Sequence, residues 1–156
     1  AYDNAIYQLA YKCAIDYIER QRNSDDEEVR LRILFLRLLI FNVHIYGSAR
    51  YVHSGEIVQE LSKLSERKVT KDYLYRRIIA PLRDDNVIIA SSAHGYKIPT
   101  QVSDIATYVN QTVSVVGPML SRIGKCRTQI KKATDSQLDT LSDSTLAGYR
   151  RFFGDY

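Results

Sequence analysis

Between residues 2 and 22 the apolar side chains Ile6, Leu9, Ala10, Cys13, Ala14, Tyr17 and Ile18 recur at intervals of three and four, which is one stripe of an amphipathic helix. The acidic run NSDDEE at 23–28 ends that helix and suits the start of the next, because carboxylates sit well against exposed N–H groups and the positive end of a helix dipole. The second helix is expected over 27–46, stopped by Gly47, and is apolar almost all round. Such a helix needs cover on more than one face, from the rest of the chain or from a second copy.

After a short extended piece around Tyr51 and Val52, Ser54 is placed to cap a helix carrying Ile57, Val58, Leu61 and Leu64 on one face. The turn SERKV follows, and Thr70 caps a further helix over about 71–84. Pro81 lacks an N–H, so a kink or an end to regular helix is expected there. The pattern then changes. In DNVIIASSAHGYKIPT, residues 85–100, two short apolar runs flank the small polar SSAH, which predicts a β-hairpin with Gly95 permitting its turn. An isolated hairpin is only marginally stable in water, so this one must lean on something.

Two short helices across a tight turn, followed by a hairpin, are an ordered set of parts. The helix GEIVQELSKL, the helix TKDYLYRRIIAPLRDDN, the strand VIIA and the return strand GYKIP, in that order, resemble the winged helix-turn-helix family over about residues 50–100. The resemblance implies a mainly α fold with a small β-hairpin: a winged helix-turn-helix with N-terminal and C-terminal helical extensions, divided at 1–47, 48–100 and 101–156. It also implies that the hairpin is the wing beside a nucleic-acid groove, that the helix over 70–83 reads double-stranded DNA, and that the protein is a bacterial or phage-type regulator or a phage or plasmid replication or partition accessory. The alternative left open is a winged-helix module for protein contacts, or a non-catalytic fragment of a larger bacterial protein.

A helical wheel places Leu74, Tyr75, Ile78, Ile79 and Leu82 on one broad arc and Tyr73, Arg76, Arg77, Ala80 and Arg83 opposite. The candidate DNA contacts on and before this helix are Thr70, Lys71, Tyr73, Arg76 and Arg77, the arginines because a guanidinium can donate two bonds to a guanine edge. The plainer reading of the arginines is a solvated face paired with Asp72 or Asp84. In the hairpin, Ser92, His94 and Lys97, with Ser91 beside them, are the candidate phosphate contacts.

From Val102 to about Thr134 the chain reads as helix again, with Gly117 and Pro118 marking a kink or a junction. Val116, Met119, Leu120, Ile123 and Ile130 form an apolar arc, and Arg122, Lys125, Gln129 and Lys132 a basic one. Together with the apolar excess over 31–45, that arc predicts a homodimer. The tail is polar, then aromatic at Phe152 and Phe153, which either dock back or stay loose.

Composition narrows the chemistry. The net charge of +4 is uneven: residues 1–47 hold 6 basic and 7 acidic side chains, 48–100 hold 9 and 6, and 101–156 hold 7 and 5, so the excess lies after residue 47. Cys13 and Cys126 lie far apart with no ligand spacing near either, which argues against a disulfide or zinc framework and for a cytoplasmic protein. The run over 31–47 carries Arg32, Arg37 and His44, too charged and short for a membrane span. No nucleophile with a base, no glycine-rich phosphate loop and no ligand cluster is legible, so neither catalysis, metal nor cofactor is expected.

Overall fold

The computed structural model describes residues 1–153. It is mainly helical with one two-stranded antiparallel sheet: α1 (Asp3–Gln21), α2 (Glu27–Tyr46), α3 (Ser54–Ser65), α4 (Lys71–Tyr73), a π turn (Leu74–Ile79), α5 (Ala80–Asp84), β1 (Ala90–Ser92), β2 (Gly95–Lys97), α6 (Val102–Ala133) and a 3₁₀ segment (Ser144–Phe152). The chain divides into two compact units, Ala1–Val109 and Asn110–Tyr156. Among the described residues no helix is long and apolar enough to cross a membrane.

The first unit is built around α2. Asp26 caps it, its carboxylate accepting the Glu28 N–H at 2.8 Å, and Gly47 at φ +88° ends it in a conformation that other residues rarely take. Leu31, Phe35, Leu36 and Leu39 are fully buried against α1, α3, the π turn and β2, so the rest of the unit supplies the cover this apolar helix requires. Each such side chain contributes about 1.5–3 kcal/mol on burial. One polar residue joins them: Asn42 donates to the Arg50 carbonyl at 3.0 Å and accepts from the Arg50 guanidinium at 2.9 Å, which gives both ends of its amide a partner. Phe41, Ile45 and Tyr46, on the last turns, remain exposed.

α3 starts one residue earlier than its sequence suggests. His53 is the cap, its Nδ1 accepting the Gly55 N–H at 3.1 Å, and Ser54 is the first helical residue. Glu66 in the left-handed region closes α3, and the Ser62 hydroxyl accepts the Val69 N–H at 2.8 Å across the turn. The hairpin leans on two things. Ile89 and Ile98, flanking its strands, are fully buried in the core, and Val52 forms an antiparallel bridge with Tyr96, exchanging backbone bonds of 2.7 and 2.9 Å. Gly95 sits at φ +129°, and a Cβ there would collide with the Val52 carbonyl, so the close approach of this third strand segment needs glycine.

In the second unit α6 runs on without a break past Gly117 and Pro118, so the junction between two helices does not occur there. Both Ser114 and Pro118 are exposed, so water can take the Ser114 carbonyl that proline leaves without its helical donor. Arg127 is buried and forks onto Asp139 through two 2.8 Å bonds, tying the segment after α6 back to it. Phe153 is half-buried against Gly124, whereas Phe152 is exposed.

Candidate nucleic-acid interface

The run 71–84 is one helical stretch whose middle is a π turn. Thr70 caps it, its hydroxyl accepting the Tyr73 N–H at 3.1 Å, so that hydroxyl already has a structural task. Pro81 has no N–H to give the Arg77 carbonyl four residues back. Arg32 on α2 gives one instead, its Nε donating to that carbonyl at 2.9 Å. The unusual turn is thus pinned from the core side by a charged donor.

The wider turn changes which side chains face out. Leu74, Ile78, Ile79 and Leu82 are buried, as the wheel places them, and Arg76 and Arg77 are exposed. The two tyrosines trade roles. Tyr75, expected inside, is 52% exposed, whereas Tyr73, expected outside, is half-buried, with the Arg67 guanidinium 4.8 Å from its ring centre and its hydroxyl buried without a partner. Lys71 is exposed. Arg76 pairs with Asp72 at 2.9 Å on the exposed surface, and the exposed Arg77 lies 3.9 Å from the half-buried Glu28 on α2. Pairs of that kind contribute about 0–1 kcal/mol and yield readily to a stronger anion.

The hairpin departs further from expectation. Lys97 is 0% exposed and points inward: its ammonium donates to the Ser48 carbonyl and to the Thr100 hydroxyl at 2.9 Å, and pairs with Asp104 at 2.8 Å. It is therefore withdrawn from any phosphate contact, because an ammonium is buried only when fully paired. Asp104 also accepts the Tyr51 hydroxyl at 3.0 Å and the Thr100 N–H at 3.0 Å. Burial alone would raise the Asp104 carboxyl, but Lys97, the Thr100 N–H and the Tyr51 hydroxyl together hold it below its ordinary value. Burial and then the bond to Asp104 push the Tyr51 hydroxyl up to about 12.

Ser92 accepts the His94 N–H at 3.0 Å and so shapes the turn, Ser91 is buried, and His94 is exposed at the tip. Arg83, which the wheel places on the outward face, binds inward. Its guanidinium donates to the Ile89 carbonyl at 2.8 and 3.3 Å and to the Ser91 hydroxyl at 3.2 Å, and lies 4.1 Å from the Tyr108 ring centre. It fixes helix to hairpin. Burial, helped by the neighbouring Tyr75, raises the Tyr96 hydroxyl above its ordinary pKa, against the Arg83 guanidinium, which pulls it down.

The outward groups of this region are thus Lys71, Tyr75, Arg76 and Arg77 on the helix and His94 on the hairpin. Tyr75 is the member that sequence reasoning missed, and only the π turn explains its exposure. Among the described residues no three His, Cys, Asp or Glu side chains converge as metal ligands. No protein-family model, no curated protein and no solved structure matches this chain.

Proposed function

We propose that this chain is a non-catalytic double-stranded DNA-binding protein of winged helix-turn-helix type, working in the cytoplasm as a homodimer, as a transcriptional regulator or a phage or plasmid replication or partition accessory. The observation that carries the reading is the exposed pair Arg76 and Arg77 on a helix whose opposite side is fixed in the core by Leu74, Ile78, Ile79 and Leu82. A recognition helix needs that division, and an arginine fork suits a base edge. Tyr75 replaces Tyr73 as the aromatic contact, and Lys71 serves phosphate. A protein-contact module is the second reading, favoured by a hairpin whose single lysine is buried.

The double substitution Arg76→Ala with Arg77→Ala separates them. Both side chains are exposed, so thermal stability should stay within about half a kcal/mol of the parent. If they read bases, specific affinity in fluorescence titrations should fall by roughly 1–3 kcal/mol for each bidentate arginine–base pair removed, with a smaller fall on scrambled duplexes and a shallower salt dependence. A stable double variant that binds every duplex as the parent does would transfer the helix to the protein-contact reading.

A further inference from the structure

Along α6 the residues at every seventh position from Val102 are Val109, Val116, Ile123 and Ile130, all β-branched. Three places after each of the first four stand Ile105, Thr112, Met119 and Cys126. A three-and-four spacing held over four heptads marks a helix that pairs with another of the same repeat, because a straight helix lying on a globular core drifts away from a seven-residue period. Ile105 and Ile130 towards its ends are half-buried, but the rest of the stripe is bare: Val102, Val109, Val116, Met119 and Ile123 are each between 41% and 54% exposed, Thr112 and Cys126 are exposed, and Val113 and Val115 beside the stripe are exposed too. The segment after α6 does not cover them. Phe152 and Phe153 line a groove with Leu120, Ser121, Gly124 and Thr128 on a neighbouring face of the helix.

We propose that α6 pairs in parallel and in register with the α6 of a second copy of this chain, as a two-stranded coiled coil. In parallel coiled coils, β-branched residues at the first position of the repeat favour two strands, most strongly with leucine at the fourth, a place held here by Ile105, Thr112, Met119 and Cys126. The charge pattern agrees, since no seam position from Val102 to Ile130 carries a charge. Arg122 would face Arg127 of the other copy, but the Arg127 charge is already met by Asp139. Gly117 and Pro118 fall on outward positions and leave the seam whole. A helix of 32 residues is about 48 Å long and about 10 Å across, so pairing covers on the order of 1,000 Å² in all, the size at which specific interfaces begin. The pairing gives the proposed dimer its interface, and its test contains no DNA, so its failure and that of the DNA reading can be told apart.

The test uses the full chain with Cys13→Ser, which leaves Cys126 as the one thiol and sets it opposite its own copy across the seam. Sedimentation should give twice 17.9 kDa, and mild oxidation should yield a disulfide-linked dimer on a non-reducing gel. Ile123→Asp should lower the apparent association constant at least tenfold while leaving the thermal melt of the first unit in place, and the milder Val116→Ser should lower it in the same direction. A parent that sediments as a monomer at every concentration overturns the proposal. So does a dimer that survives both substitutions, or one that they disrupt but that never cross-links through Cys126.

Discussion

Lys97 carries its ammonium into the first unit, where the Ser48 carbonyl, the Thr100 hydroxyl and the Asp104 carboxylate receive it. Removing one member of such a pair leaves a buried charge without its counter-ion, so Asp104→Asn is expected to cost about 3–5 kcal/mol, whereas Lys97→Met should cost less because Asp104 keeps the Tyr51 and Thr100 donors. Acid should act through the same carboxylate. Its pKa is depressed by folding, so its contribution is fully present above the ordinary Asp value and is lost as the pH falls through the lower folded value. Asp139 shares the sign, held down first by the Arg127 guanidinium. Urea midpoints should therefore fall below about pH 4 in the parent. The fall should be smaller in Asp104→Asn, and an equal fall in both would show that other carboxylates govern acid stability.

At the scale of the element, the π turn rests on a donor from another helix. Arg32→Ala removes a charged hydrogen bond to the Arg77 carbonyl and is expected to cost about 1.5–3 kcal/mol by thermal or denaturant melts. Arg32→Lys should restore only part of this, since an ammonium lacks the planar fork that also reaches Glu28 at 3.4 Å. A loss under about half a kcal/mol would mean that water serves that carbonyl equally well. The same element shows where sequence reasoning stops. Periodicity finds the burial of Leu74, Ile78, Ile79 and Leu82, and local chemistry finds the cap Thr70 and the acidic start of α2, because both signals lie within a few residues. A π turn leaves no mark in a 3.6-residue pattern, so the exchange of Tyr73 for Tyr75 is invisible there. The long-range partners are hidden for another reason: the Val52 bridge to Tyr96 and the Ser48 carbonyl under Lys97 join residues more than forty apart, and nothing local announces them.

For the molecule as a whole, the two units have unequal means of support. The first owns a continuous core from Ala10 to Ile98, whereas among the described residues of the second only Leu141 and Arg127 are buried. A helix of this kind holds its own backbone bonds but gains little from tertiary packing, and isolated helices are marginal in water. If a second copy supplies the missing packing, helix stability in the second unit must follow mass action, and that of the first must not. Hydrogen exchange on the full chain should then show slow amides in α2 at every protein concentration. In dilute solution the amides over 110–126 should exchange at least tenfold faster than those of α2, and they should slow as concentration rises through the dimerisation range. Protection over 110–126 that is high and unchanged on dilution would mean that the helix is stabilised within one chain, and the exposed valines of α6 would then need a different occupant.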